Sequence, residues 1–178
     1  MAKQYEQITQ AHQALIEQQK IFFVATAGKA GHVNVSPKGL DSLRVLGPNR
    51  VVWLSVTGSG NESAAHVAEN GRMTLMFCTF EGAPTILRLY GEARVIYPRD
   101  ADWEGLIDQF PKLPGVRQLF DLSVSLVQTS CGMAVPLYEY QGDRDSLNQW
   151  ANKKGPEGIA AYWDDKNKVS IDGMPTYL

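Results

Sequence analysis

The stretch Gly58-Ser59-Gly60-Asn61-Glu62-Ser63 has the residue types needed to hold an anion. Its two glycines remove side chains where the backbone must turn tightly. Ser59, Asn61 and Ser63 bring hydroxyls and an amide to the start of a helix near Glu62, where several N–H groups lack intrahelical partners. Such a helix start is a ready phosphate site. The same residues also serve as ordinary helix caps, and the stretch has neither the Gly-Lys-Ser/Thr of a P-loop nor the spacing of a dinucleotide fingerprint. Lys38 is the second candidate. Pro37 cannot donate to a sheet ladder, so a strand there must stop, bulge or lie at an edge, which presents Lys38 either to solvent or to a phosphate or electron-rich ring.

Other reactive side chains are sparse. Of the three histidines, His12 lies on the apolar face of a helical pattern, His66 falls within the short helix as a surface or packed residue, and His32 stands near a turn. Cys78 and Cys131 are far apart and form no C-x-x-C pair, so both are expected to be reduced thiols and no metal site is implied. No Ser-His-Asp or paired-carboxylate arrangement follows from spacing.

The elements that must position these groups follow from periodicity. Tyr5, Ile8, His12, Leu15 and Ile16 recur at helical spacing and predict one amphipathic helix over Gln4 to Gln19. Ile21 to Thr26 and His32 to Ser36 predict a hairpin, and Leu40 to Gly47 a loop or short strand. Arg50 to Phe77 predicts a strand, the Gly-rich turn, a helix ending at Asn70-Gly71, and a strand over Met73 to Phe77 buried on both faces. Thr85 to Tyr97 alternates, with Gly91 inviting a bulge or bend. Asp100 caps a helix over Ala101 to Phe110 with Trp103 in the core. Leu122 to Gln128 and Met133 to Tyr140 read as two strands, and a final helix covers about Leu147 to Lys153. At least six mostly antiparallel strands with a few helices make a mostly β, α+β fold of barrel type.

The 178 residues and 44% hydrophobic content fit a single domain, with an N-terminal helix over 1–20, a barrel core over 21–140 and a C-terminal helix and tail over 141–178. With 17 basic and 19 acidic residues, the formal net charge of −2 argues against nucleic acid or an anionic membrane as the partner. The polar start MAKQYEQITQ lacks the apolar core of a signal peptide, so a cytoplasmic location is expected.

Read together and in this order, Val33-Asn34-Val35-Ser36-Pro37-Lys38-Gly39, the Trp53 strand with Gly58 to Ser63, Arg88-Leu89-Tyr90-Gly91, Ser130-Cys131-Gly132 and Val135-Pro136 resemble the pyridoxamine 5′-phosphate oxidase-related FMN-binding family. The resemblance implies a split β-barrel homodimer with FMN at the subunit interface. It implies that Val33, Asn34, Val35, Ser36, Pro37 and Lys38 line the isoalloxazine and ribityl chain, that Ser55, Val56 and Thr57 follow, and that Asn61 and Ser63 sit at the phosphate. Lys38 and Arg88 would supply positive charge, and Ser130 and Cys131 would approach from the neighbouring subunit. The chain has Glu62-Ser63 where true oxidases carry a basic pair, and its tail from Asp145 to Leu178 does not match their closing segment. The reading is therefore a related branch, an FMN-dependent oxidoreductase of unknown substrate using a nicotinamide cofactor or substrate as reductant. The alternatives are a non-catalytic flavin-binding protein, a haem-binding split barrel with a histidine ligand, and a deazaflavin-dependent reductase.

Overall fold

The computed structural model describes residues 2–178. Its centre is β8 (Val116–Cys131), which pairs antiparallel with β7 (Thr85–Ile96) on one side. On the other side it pairs first with β5 (Arg50–Val56) and then with β1 (Lys3–Tyr5). The sheet continues through β6 (Arg72–Cys78) and β2 (Phe22–Thr26) to β3 (Asn34–Lys38) at one edge, and ends at β4 (Leu43–Gly47) at the other. The edge strands β3 and β4 are consecutive in the chain but do not pair with one another, so the curled sheet is an open, split barrel. Pro37 lies on the outer strand β3, the place in a sheet that tolerates a missing donor.

Two apolar clusters fix the sheet. The inner one joins Trp53, Leu75, Leu89 and Phe120, with the Trp53 and Phe120 rings stacked at 4.4 Å. A second cluster joins Val52, Leu54 and Leu119 to Trp103, Leu106 and Phe110 from α3 (Trp103–Ile107) and its flank. Strand β5 is therefore buried on both faces. Strand β6 is not, in contrast to the sequence expectation for Met73 to Phe77. Met73, Leu75 and Phe77 are buried, whereas Thr74 and Met76 stay half-exposed because no element among the described residues fully covers that face.

Other boundaries moved for identifiable reasons. The expected helix over Gln4 to Gln19 is instead β1 followed by α1 (Gln10–Gln18). Thr9 caps α1 by accepting from His12 N, and Tyr5 pairs with Val127 beyond the reach of β5. The hairpin strand expected over His32 to Ser36 runs two residues later. Leu122 to Gln128 and Met133 to Tyr140 are not two strands: Thr129-Ser130-Cys131 continues β8, and Met133 to Tyr140 forms no strand and leaves Met133, Leu137 and Tyr138 exposed. Asp100 does not cap α3; its Oδ2 accepts from Tyr97 N. The last helix, α4 (Ser146–Lys166), extends beyond Lys153 as a second helical piece that Pro156 opens after a break at Gly155, where φ is 66°.

The central expectation held. The strand β5, the turn, α2 (Glu62–Asn70) and β6 follow in order, with Gly71 ending α2 in the left-handed region at φ 72°. At Gly91 the β7–β8 register shifts, and a Cβ there would come within 2.0 Å of the Ser123 carbonyl oxygen. No described helix is long and apolar enough to cross a membrane.

Candidate functional site

A cleft of about 230 Å³ opens where β3, the end of β5, the start of α2 and the start of β8 converge. Each element contributes for a local reason. Alternation along β3 turns Asn34, Ser36 and Lys38 to the cleft and Val35 to the outside. Strand β5 supplies Trp53, Ser55 and Val56, the glycine-rich turn brings backbone close, and α2 begins with Glu62 and Ser63. Trp53 and Phe120 form an aromatic floor, and Lys38 Nζ stands 5.5 Å from the centroid of the Trp53 ring.

The charge balance of this cleft is unusual. Arg117 is buried, 4% exposed, and lies on the cleft wall. Its Nη1 donates to Gly60 O at 3.0 Å and to Asn167 Oδ1 at 2.7 Å, and Nη2 donates to Ser55 Oγ at 3.3 Å. Its Nε is buried without a hydrogen-bond partner among the described residues. Among the described residues neither Arg117 nor Lys38 forms an ion pair. Burial pushes the Lys38 ammonium down to about 8, with repulsion from Arg117 acting in the same direction. Burial likewise pulls the Arg117 guanidinium down to about 10. Two enclosed cations, with no carboxylate paired to either among the described residues, make a site complementary to an anion.

The carboxylate of Glu62 lies on the cleft rim, yet Oε2 accepts from Ile171 N at 2.9 Å and is tied to the C-terminal segment. That segment bonds to the cleft wall. Asn167, fully buried, joins Arg117 to Gly58 O, while Asp172 accepts from His32 N at 2.8 Å and pairs with its ring at 2.7 Å.

Of the residues expected from sequence, Asn34, Ser36, Lys38, Ser55, Val56, Asn61 and Ser63 meet in this cleft. Asn61 comes with its amide already engaged, donating to Gln118 Oε1 at 3.2 Å and accepting from Gln118 Nε2 at 2.7 Å. Thr57 is not on the wall: it is buried beside it, donating to Gly115 O and accepting from Trp163 Nε1. Val33 and Val35 are exposed by 71% and 61%, and Pro37 faces a larger groove of about 1150 Å³ on the other side of β3, which Phe80 and Tyr138 line. The single chain does not bring Arg88, Ser130 and Cys131 to the cleft. Arg88 Nη1 donates to Ser130 Oγ at 3.2 Å near the β7–β8 end, and Cys131 is exposed beyond it. Sequence reading missed Arg117, Gln118 and Asn167. A basic residue close before the apolar pair Leu119-Phe120 was the available signal, since a charge drawn into a core demands a partner.

None of the three histidines lines the cleft. His12 is buried against the Tyr5 ring and completes the α1 cap through Nδ1, and His66 is 1% exposed within α2. His32 is at the surface.

Comparison with known proteins gives the same frame. In structure, the chain matches HupZ from Group A Streptococcus with a TM-score of 0.54 and 20% identity, covering 67% of this chain and 91% of that one. A candidate pyridoxamine 5′-phosphate oxidase from Lactobacillus delbrueckii matches with a TM-score of 0.55 and 20% identity over 69% of this chain and 94% of the other. The FAD binding protein from Mycobacterium smegmatis matches with 0.51 and 12% identity over 71% and 97%. These likenesses establish the fold. In sequence, the pyridoxamine 5′-phosphate oxidase family protein ustO of Aspergillus flavus is 37% identical over 175 residues, covering 88% of this chain and 70% of the relative. The family model described as pyridoxamine 5′-phosphate oxidase matches residues 8–131, a span that holds every residue lining the cleft. By its sheet, its cleft and its sequence, the chain belongs to the pyridoxamine 5′-phosphate oxidase family.

Proposed function

We propose that this protein is an FMN-binding flavoprotein whose cleft between β3 and α2 holds the flavin phosphate, and that it acts as an FMN-dependent oxidoreductase. The observation that carries the reading is the enclosed pair Lys38 and Arg117, without a carboxylate between them and with Arg117 Nε unpartnered. A phosphate would restore charge balance and accept from that nitrogen, as well as from the N–H groups that open α2 and the hydroxyls of Ser55 and Ser63. Family membership and an FAD-binding neighbour of the same fold support a flavin over another phosphate ester.

The cleft is smaller than the roughly 300–1000 Å³ of sites that enclose a drug-sized ligand, so one chain surrounds the anion end only. The remaining length lies along β3, an edge strand whose outer N–H and C=O groups are unpaired within the chain and suited to the polar rim of an isoalloxazine. A second copy would supply the far wall. Val33, Val35, Met133 and Leu137 leave apolar surface beside β3 and the β8 end, and a homodimer would also bring the Arg88, Ser130 and Cys131 end of a neighbouring subunit to the flavin.

A bound flavin supplies the two-electron transfer, between a nicotinamide cofactor or substrate and an acceptor. The chain's own residues bind and orient: Lys38 and Arg117 fix the anion, the Trp53–Phe120 floor excludes water beneath it, and the C-terminal segment holds Arg117 in place through Asn167.

The test is the visible absorption spectrum of the purified protein, followed by release of the chromophore and its identification by mass. A flavin spectrum yielding FMN is expected. A Soret band would establish haem in its place, a deazaflavin mass would replace FMN, and a colourless protein that also ignores added FMN would remove the oxidoreductase reading.

A further inference from the structure

His66 is among the most deeply enclosed polar side chains of the molecule, and it belongs to a hydrogen-bond chain that ends in the cleft. Its Nδ1 lies 3.0 Å from Thr26 Oγ1. Thr26 Oγ1 lies 3.3 Å from Ser63 Oγ, to which Asn34 Nδ2 also donates at 3.2 Å. Ser36 Oγ donates to Asn34 Oδ1 at 3.2 Å and so fixes which end of that amide faces Ser63. Asn34, Ser36 and Ser63 line the cleft, whereas Thr26 and His66 are buried behind it.

The number of protons in this chain limits its arrangements. A serine hydroxyl has one proton and two lone pairs, and so has threonine. With the proton of His66 on Nδ1, the ring donates to Thr26, Thr26 donates to Ser63, and Asn34 fills the second lone pair of Ser63. The only direction left for the Ser63 proton is the cleft. With the proton on Nε2 the chain reverses: Ser63 donates to Thr26, Thr26 donates to Nδ1, and the cleft faces a bare oxygen. His66 Nε2 is buried with no partner among the described residues, so the reversed arrangement also strands a buried N–H, the rarer kind of orphan in folded proteins.

We infer that His66 is a positioning residue for anion recognition, using Thr26 to aim the Ser63 hydroxyl as a donor into the cleft. The inference rests on the phosphate reading of that cleft. It assigns a specificity role to a residue that touches no ligand: phosphate at the cleft and the Nδ1–H tautomer favour one another, because only that tautomer leaves Ser63 a proton to give.

The test compares binding of FMN and of riboflavin, which lacks the phosphate, to the full chain. T26V keeps shape and removes the relay hydroxyl; it is expected to weaken FMN about tenfold and riboflavin not at all, as S63A does. Because both act through one proton, T26V/S63A should be no weaker than S63A alone. H66L should behave like T26V, and H66N, whose amide can donate from near the Nδ1 position, should recover most of the loss. Nitrogen chemical shifts of His66 in the unsubstituted protein should report Nδ1–H when inorganic phosphate or FMN is bound, a readout that needs no variant to fold. Equal loss of FMN and riboflavin in T26V, additive losses in the double variant, or an Nε2–H ring in the bound protein would each overturn the positioning role. An unsubstituted protein that binds riboflavin as tightly as FMN would overturn the phosphate cleft itself, and this inference with it.

Discussion

Arg117 and Asp121 lie four positions apart on β8, and they show opposite ways of treating buried charge. At Asp121 the account closes within the chain. Arg50 donates through Nε at 2.9 Å and Nη2 at 3.0 Å, and Arg94 Nη2 donates at 3.0 Å while also pairing with Asp102. Burial alone would raise the Asp121 carboxyl, but the hydrogen bonds and charges of the two arginines outweigh it and hold the group below its usual range. At Arg117 the guanidinium meets only neutral acceptors and a neighbouring lysine, and both cations are pushed down. A satisfied cluster ties β5, β7 and β8 together. The Arg117–Lys38 pair keeps its charge uncompensated within the chain, at a cost in stability that the proposed anion would offset.

The sharpest way to break this contrast is R117M. Loss of a charge-assisted donor to phosphate is expected to weaken FMN about 100-fold by fluorescence titration, since such hydrogen bonds contribute roughly 1.5–3 kcal/mol. Folding stability should fall much less than in the counterpart variant D121N. That change leaves Arg50 and Arg94 without their shared carboxylate and should cost about 2 kcal/mol in urea unfolding, limited by the exposure of both arginines, with flavin affinity within about twofold. The Asp121 contribution is present above the unfolded carboxyl value near 3.9 and is lost as pH falls through the lower folded value, so D121N should also flatten the acid limb of stability.

The alkaline side sharpens the comparison further. In the free protein Lys38 titrates at about 8, and an anion raises that value, so FMN affinity should be full below pH 8 and fall by up to about tenfold per pH unit above it. Between that folded value and the unfolded one near 10.4 the unfolded chain binds more protons, so apo stability should rise with pH across that window, the same sign of slope as at Asp121 but through loss of a destabilising charge instead of gain of a stabilising one. K38M should remove both dependences, and its apo form should melt higher than the parent at pH 7. The smallest expected change is in E62Q: removing the rim carboxylate should tighten FMN about threefold in an isothermal titration while loosening the Ile171 contact.

What could be read from the sequence followed the range of the interactions. The β5-turn-α2-β6 unit was legible because its signals are local: Val51 to Leu54, the glycines of the turn, Gly71 at the helix end. Lys38 was legible because Pro37 before it marks a strand edge. Arg117 was not, since its meaning arises when β5 and β8 pair Ser55 with Gln118 and bring the turn of residues 58–61 alongside. The double burial of β5, expected instead for β6, depended on where α3 settles, which Trp103 and Phe110 do not specify by themselves. Thr129-Ser130-Cys131 has turn-forming composition but continues a strand because β7 pairs with all three residues and β1 with Thr129.

Asn167 reaches back 50 residues to Arg117 and 109 to Gly58, and Asp172 reaches back 140 to His32. Every strand of the sheet leaves the ribosome before these residues do. At about 5–20 residues per second the barrel has seconds in which it can form with Arg117 still untethered. The nascent chain can thus form its sheet before Asn167 and Asp172 tether the cleft, and on the proposed reading tight binding of a phosphate would follow only once those residues emerge.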